Sequence, residues 1–344
     1  MMKARSKLTH SRKQTFLRCR RQHYYAYELG WRRESTPKAL RIGTAGHVGL
    51  EALQVTGDIA QAMIAVRLCY EECPDHIDSY DWQIERETVM TLVAGYEWRW
   101  SGSDVEILAT ELPFAHRLPR SRTWDVAGKI DGICKIDDRV LVLEHKFLGE
   151  SIASAADLWD RVRLDSQIST YISAARRLGY DCCSGALYDV IRKPTIRPTY
   201  VDFLDNDGLK IIIDGTGSRV FDPDGSPRQA ASKKCGYAVK KRLMTPAEWS
   251  DKLLADIGQR PEYYYQRVEV PRLTADLANH DNEFRRVASD ISSARKSNSH
   301  YRHVDRHCSH CAFSGLCEQD LPGTDALPPE GFIALEDVHP ELST

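Results

Sequence analysis

The spacing of hydrophobic and polar positions is typical of helices up to residue 104 and of strands directly after it. Up to that point it is helical, with Ser11 as the expected cap of a first helix that ends at Gly30 and Thr44 near the start of a second. Between 105 and 147, short runs rich in β-branched residues alternate with turn-forming clusters. This texture predicts a meander of three strands.

The second half of the chain alternates again. Helical periodicity over 157–180 predicts one helix, and 183–191 predicts a strand that runs parallel to the meander because a helix intervenes. Residues 192–244 are irregular and predict an insertion. Thr245 and Glu248 form a capping-box pattern at the start of a further helix. We therefore expect an α/β fold in which helices flank a small mixed sheet.

Composition limits the class of protein. The chain has 344 residues and a formal net charge of -2, yet residues 1–33 contain ten Lys or Arg and one acid, which predicts a basic N-terminal element. Neither a signal-peptide core nor an apolar run long enough to span a membrane is visible. We expect a cytoplasmic protein without membrane contact, in which the ten cysteines are mostly reduced.

Three polar residues interrupt the apolar run "LVLEHKF" at 141–147. In a strand, Glu144 and Lys146 share one face and His145 points to the other. A hairpin around 137–138 would bring Asp131 beside them. Two carboxylates and the backbone carbonyl of His145 would suit Mg²⁺ or Mn²⁺ and hydrolysis of a phosphodiester. The alternative is a surface ladder with a cross-strand ion pair.

A second cluster lies near the C-terminus. Cys308, Cys311 and Cys317 form a C-x₂-C-x₅-C pattern, which indicates a metal site that needs a fourth ligand. His303, His307 or His310, which are close by in the sequence, could supply it and make a zinc knuckle.

Basic clusters at 3–21, 191–198 and 232–242 are candidates for contacts with DNA phosphates. The residues predicted to make such contacts are Arg12, Lys13, Arg20, Arg21, Arg192 and Lys193. No base-reading motif is present, so we expect binding without sequence specificity.

Six segments in order resemble a RecB-like nuclease of the PD-(D/E)XK superfamily, in particular the phage-type exonuclease-like members that carry an iron–sulfur cluster. The segments are "LTHSRKQTFLRCRRQHYYAYELG" (8–30), "GTAGHVGLEAL" (43–53), "AGKIDGI" (127–133), "LVLEHKF" (141–147), "QISTY" (167–171) and "CSHCAFSGLC" (308–317). They span nearly the whole chain. The proline that commonly follows the first cysteine of the family is Arg20 here.

The resemblance implies a role for each matching residue. Asp131 and Glu144 would hold the metal ion together with His47, and Lys146 would be the catalytic lysine. Gln167 and Tyr171, one helical turn apart, would support the site. Without the family pattern, His47 would be an ordinary surface histidine and Tyr171 a core residue. Glu111, in the first predicted strand, is left outside the predicted site.

The resemblance also implies that Cys19 is the fourth cysteine ligand and that the four hold a [4Fe–4S] cluster, with Zn²⁺ as the alternative. It implies a PD-(D/E)XK core clasped by that cluster at its two ends. The predicted domain is 1–320, made of an N-terminal helical part (1–104), a catalytic core (105–191), an insertion (192–244) and a C-terminal part with the cysteines (245–320), followed by a tail (321–344).

The expected function is a Mg²⁺- or Mn²⁺-dependent exonuclease that acts on DNA ends in phage or bacterial recombination and repair. It would work in the cytoplasm of a bacterial or phage-infected cell, with a separate helicase or single-strand annealing protein as a possible partner. The alternatives are an endonuclease or flap-type nuclease on single-stranded or branched DNA, and a non-catalytic DNA-binding subunit of a helicase–nuclease complex.

Overall fold

The structure is a computed structural model that describes residues 5–149, 156–319, 328–339 and 342, without the side chains of 156–158. Within these residues, no helix combines the length and the apolarity that a membrane crossing requires.

Six strands form the central sheet, and the remaining strands form short two-stranded pairs. In chain order the strands are β1 (Ser6–Leu8), β2 (Trp31–Arg33), β3 (Val105–Arg117), β4 (Trp124–Ile136), β5 (Arg139–Leu148), β6 (Gly185–Arg192), β7 (Tyr200–Asp202), β8 (Ile212–Ile213), β9 (Ala238–Val239), β10 (Lys241–Leu243), β11 (Tyr265–Pro271) and β12 (Phe332–Ala334).

The central sheet has the order β1-β4-β5-β6-β11, and β3 also pairs with β4. The pairs β3/β4, β4/β5 and β6/β11 are antiparallel, whereas β1/β4 and β5/β6 are parallel. The predicted meander is therefore confirmed, as is the parallel strand that follows the next helical segment.

The helices flank this sheet. They are α1 (His10–Arg18), α2 (Arg20–His23), α3 (Lys38–Thr56), α4 (Ile59–Leu68), α5 (Ser79–Trp100), α6 (Ala156–Arg163), α7 (Ser166–Arg177), α8 (Pro246–Gln259), α9 (Pro261–Tyr264), α10 (Thr274–Ser297) and α11 (Ser314–Glu318). A π-helical turn at Tyr24–Glu28 follows α2.

Two hydrophobic cores lie on opposite faces of the sheet. Val190 of β6 belongs to the core formed with α1, α7 and α10, and its neighbour Ile191 belongs to the core formed with α3, α4, α5 and α8. Because successive strand side chains point to opposite faces, the fully buried sequence of β6 reflects burial on both sides. The expected α/β architecture, a mixed sheet flanked by helices, is confirmed.

Two predicted helices are interrupted at places that matter for the site. The first helix is capped by Thr9 rather than Ser11 and breaks at Cys19, whose backbone is extended. The helix predicted over 157–180 is broken before Ser166, where the Asp165 carboxylate accepts the Gln167 N–H at 2.8 Å and starts α7. Both predictions of an unbroken helix were wrong. The extended backbone at Cys19 ends α1, and the Asp165 side chain caps a new helix before Ser166.

The insertion and the tail also have more structure than the sequence indicated. Three successive turns in the insertion begin at Asp205, Asp214 and Asp222, and each is closed by a glycine N–H on the aspartate carbonyl. The periodicity of these turns was missed in the sequence. In the described part of the tail, β12 pairs with β2, which returns the chain to its N-terminal region. The predicted capping box of α8 is confirmed.

The close approach of α3 to β5 gives a stability prediction. A Cβ atom on Gly46 would lie 2.2 Å from Cζ of Phe147, whereas one on Gly43, a turn earlier in the same helix, would meet nothing within 4 Å. We expect Gly46→Ala to lower the free energy of unfolding by about 1–3 kcal/mol through overpacking. Gly43→Ala should raise it by about 0.5–1 kcal/mol, because alanine favours the helix.

Denaturant unfolding of both variants measures these changes. Equal stabilities for the two alanine variants would contradict the close packing of α3 on β5.

Candidate active site

One edge of β4 is only partly paired, and this gap contains the candidate site. Since β3 covers one edge of β4 along most of its length, β1 and β5 must share the other edge. β1 pairs with 124–126 and β5 with 132–136, so 127–131 face an opening on that edge. The opening is part of a cleft of about 500 Å³ that His10, Glu51 and Phe147 also line.

Asp131 and Glu144 meet where β4 and β5 separate. Their last paired residues are Gly132 and Leu143, and beyond them the Asp131 Oδ2 accepts the backbone N–H of His145 at 2.9 Å. Glu144 is 1% exposed, and in the described part of the chain neither of its carboxylate oxygens has a hydrogen-bond partner. A buried carboxylate without such partners is unfavourable unless a cation compensates it.

Lys146 is the cation next to Glu144. Its ammonium group forms an ion pair with the Glu144 carboxylate, and its Nζ donates to Gln167 Oε1 at 3.1 Å. Gln167 Nε2 in turn donates to the hydroxyl of Tyr171 at 2.9 Å. The strand period thus places Glu144 and Lys146 together as predicted, and the start of α7 brings the Gln-x-x-x-Tyr pair to them.

His47 of α3 approaches the same oxygen of Asp131 that accepts the His145 N–H, with 3.6 Å between His47 Nδ1 and Asp131 Oδ2. Three side chains of metal-binding type meet here: His47, Glu111 and Asp131. Each offers a ligand atom within 4.8 Å of those of the other two, and among the described residues no other such group of three is found. Sequence reasoning had left Glu111 out. Its side chain also forms an ion pair with Lys129.

A β-bulge brings Glu111 into the site. The β3/β4 register shifts by one residue between Ile107 and Ala109, so that Glu111 lies opposite Asp131; without the shift, Thr110 would. Glu111 also has a φ of 47°, in the left-handed region that non-glycine residues seldom adopt. The sequence offered one sign of this role, namely that Glu111 is a carboxylate in the predicted strand before the one with Asp131. The sequence does not show the bulge that aligns the two residues.

Burial and neighbouring charges shift the pKa values of the site residues. Burial raises the pKa of Asp131 to about 6 and that of Glu144 to about 8, although the Lys146 ammonium opposes both shifts. Burial opposes the charge of Lys146 itself, but Glu144 and Asp131 outweigh it and raise the lysine pKa. Burial and the Lys146 charge lower the pKa of His47, which favours the neutral imidazole that can bind a metal.

The sequence matches a family model described as PD-(D/E)XK nuclease superfamily over residues 7–318. The chain belongs to this superfamily. A solved structure titled "Crystal structure of SSO0001" is similar at 10% sequence identity with a TM-score of 0.34, and the match covers 94% of this chain and 91% of that chain. That similarity is too low to carry an argument. No curated protein matches the chain.

Nucleases of the PD-(D/E)XK superfamily use divalent metal ions, and the His47, Glu111 and Asp131 group could bind one. The residues present fit such an ion. Their oxygen and imidazole ligands suit Mg²⁺ or Mn²⁺, and Glu144, which is ion-paired with Lys146, lines the same cleft.

Behind the cleft, the side chain of His145 is held in a buried polar network of this PD-(D/E)XK nuclease. Its Nε2 lies 2.7 Å from the Gln54 amide nitrogen, and its Nδ1 lies 3.5 Å from Asp189 Oδ2. Asp189 Oδ2 also accepts the Tyr96 hydroxyl at 2.6 Å and the Arg267 Nε–H at 3.0 Å. The network joins α3 to β5 and β6, and it therefore fixes the helix that carries His47 relative to the strand that carries Glu144.

The four cysteines lie together although almost the whole chain separates the first from the others. A cavity of about 540 Å³ is lined by Cys19, Cys308, Cys311 and Cys317. The extended backbone at Cys19 and the turn that follows α10 bring them to this place, where the His303 N–H lies 3.5 Å from Cys19 Sγ.

The predicted DNA contacts are wrong for three residues. Arg12, Lys13 and Arg192 are buried: Arg12 donates to Glu28, Lys13 lies over the ring of Phe284, and Arg192 lies over the ring of Tyr263. Charges enclosed in this way are not available to a phosphate backbone.

The other three predicted contacts remain partly exposed. Arg20 stacks on Tyr301, Arg21 donates to the carbonyl of His300, and Lys193 donates to the carbonyl of Ala39. Contacts of these three with DNA stay a prediction.

The position of Glu111 predicts a contribution to metal binding. We expect Glu111→Gln to weaken Mn²⁺ binding about 10- to 100-fold, because the variant removes a negative ligand from the group around Asp131. Isothermal titration with Mn²⁺ in the absence of DNA measures the affinity directly.

Glu106→Gln is the matched control, since Glu106 is exposed near the start of the same strand. Equal affinities for the two variants would show that Glu111 does not bind the ion.

Proposed function

We propose that this protein is a Mg²⁺- or Mn²⁺-dependent deoxyribonuclease that acts as an exonuclease at DNA ends. The observation that carries the proposal is the pair of carboxylates at the open edge of β4, the buried Glu144 and the partly buried Asp131, with Lys146 between Glu144 and Gln167. Membership of a nuclease superfamily supports the reaction class.

His47, Glu111, Asp131 and Glu144 would hold the ion, together with the backbone carbonyl of His145. When bound, the ion would lower the pKa of a coordinated water and stabilise negative charge on the phosphate. The carboxylates are held in place by the protein itself: the His145 N–H fixes Asp131, and Lys146 fixes Glu144.

We assign Lys146 the role of a positive donor rather than a general base. The two carboxylates raise its pKa, so its ammonium group stays protonated at neutral pH. Gln167 accepts one of its hydrogens, and another can reach the attacking water or a phosphate oxygen in the cleft. Tyr171 orients Gln167 through its hydroxyl and thereby positions the lysine.

We also propose that the four cysteines hold a [4Fe–4S] cluster. A tetrahedral zinc site with Zn–S bonds of about 2.3 Å would bring the sulfur atoms to about 3.8 Å from one another. No three of these four sulfurs, all of which the structure describes, lie within 4.8 Å of one another. A cluster that binds each thiolate to a different iron suits this wider spacing better.

The role of Lys146 predicts a loss of turnover. We expect Lys146→Met to lower the rate of DNA hydrolysis about 10²–10³-fold, because it removes a positive donor from the charge that develops on the phosphate. Release of nucleotides from linear duplex DNA in Mg²⁺ measures this rate. Lys135→Met, on the adjacent strand β4 beside an exposed turn, is the matched control and should keep full activity.

The same assay on covalently closed circular DNA tests the preference for ends. Cleavage of circles as fast as of linear DNA would replace the exonuclease with an endonuclease. Full activity in Lys146→Met would contradict the site.

The proposed cluster predicts a link between iron content and stability. We expect Cys308→Ala to lose iron and visible absorption and to melt at least about 5 °C lower, since binding of a metal centre contributes to folding. Anaerobic purification, iron and sulfide analysis and thermal unfolding measure these effects. Cys69→Ala is the control, since Cys69 is an exposed thiol at the end of α4.

Stoichiometric zinc without iron in the wild-type protein would favour the zinc alternative. Equal iron content and melting temperature in Cys308→Ala would contradict any cluster held by these cysteines.

A further inference from the structure

A second polar cavity lies between the β3–β4 turn and α10, away from the active site. Its volume is about 270 Å³, and it is lined by residues 118 and 120–124 of the turn and by Arg285, Ala288, Ser289 and Ser292 of α10. Trp124, at its base, is buried and donates its indole N–H to Ser292 Oγ at 2.9 Å.

All the charged side chains that line this cavity are arginines. Arg120, Arg122 and Arg285 line it, and none of the described residues that line it is a carboxylate. In the part of the chain that the structure describes, none of these three guanidinium groups forms an ion pair or a side-chain hydrogen bond. The Nε atom of Arg285 is buried without a hydrogen-bond partner.

Such an arrangement is costly without a ligand. The buried Arg285 Nε has lost its water and gained no acceptor, while the exposed Arg120 and Arg122 add positive charge around the same cavity. An anion in the cavity would supply the acceptor and neutralise this charge. By contrast, the enclosed guanidinium groups of Arg12 and Arg267 have carboxylate partners.

One neutral group in the cavity, the Ser121 hydroxyl, is also a donor. Ser121 Oγ accepts the backbone N–H groups of Thr123 at 3.3 Å and of Trp124 at 3.1 Å, which leaves its hydroxyl hydrogen to donate elsewhere. Guanidinium groups with a hydroxyl donor match the oxygens of a phosphate, which accept several hydrogen bonds at once.

We propose that this cavity, which we call the arginine pocket (Arg120, Ser121, Arg122 and Arg285), binds a phosphate group. We take this phosphate to belong to the backbone of the DNA substrate, and that choice rests on the proposed nuclease function. Binding of a phosphate by the pocket does not itself depend on that function. Trp124 and Asp131 are seven residues apart on β4, which corresponds to about 23 Å. The pocket therefore holds a phosphate remote from the scissile bond.

Binding of DNA without cleavage tests this proposal. Fluorescence anisotropy of a labelled duplex in EDTA, over a series of salt concentrations, gives the slope of log K against log salt. The magnitude of the slope should fall by about 0.9 for Arg120→Ala/Arg122→Ala, because loss of the pocket leaves one phosphate un-neutralised and its counterions unreleased, and by less for Arg122→Ala alone. Both arginines are exposed at a turn, so these variants should fold.

Arg67→Ala is the matched control, since Arg67 is an exposed arginine of α4, and it should leave the slope unchanged. Arg285→Lys keeps the charge but not the guanidinium fork, and it should weaken binding less than Arg285→Gln. Hydrolysis by the double variant should show a raised KM and an unchanged kcat, whereas a defect in the active site would lower kcat.

A second arm uses inorganic phosphate. Phosphate could raise the melting temperature of the wild type but not of Arg120→Ala/Arg122→Ala, while the two proteins show equal salt slopes. The pocket would then bind a small phosphate compound, and the proposal that it binds the DNA backbone would be wrong. Equal salt slopes together with equal phosphate effects would overturn the pocket altogether.

Discussion

The active site depends on an interruption in the hydrogen bonding of one strand edge. β4 is paired along most of its length with β3, but its other edge is shared by β1 and β5, which leave residues 127–131 uncovered between them. An unpaired stretch in the middle of a sheet gives up backbone hydrogen bonds, and here a side chain replaces one of them. The Asp131 carboxylate accepts the His145 N–H that an unbroken ladder would have paired with a backbone carbonyl.

The same separation of strands places two carboxylates in one cleft with Lys146. Burial raises the pKa of both Asp131 and Glu144, and Lys146 compensates only part of the cost. The buried network of Gln54, His145 and Asp189 on the other side of β5 prevents the strand from relaxing away from this charge. The site is therefore held in an arrangement that a divalent cation would stabilise.

The sequence was sufficient for those features that depend on local periodicity. The period of two separated Glu144 and Lys146 from His145, and the motif spacing placed Gln167 and Tyr171 on one turn of α7. The sequence was not sufficient where contacts between distant segments decide the position of a side chain. Glu111 enters the site through a one-residue bulge, and Lys13 is buried because α10 packs over it, and neither event leaves a local pattern.

Binding of a divalent metal ion by the carboxylates at the open edge of β4 is the property on which the proposed hydrolysis depends. Crystals grown with Mn²⁺ and measured at the manganese absorption edge locate the ion directly. We expect an anomalous peak at about 2.0–2.3 Å from an Asp131 oxygen, with His47, Glu111 or Glu144 completing the coordination. A fully occupied Mn²⁺ elsewhere, with Asp131 and Glu144 free of metal, would contradict it.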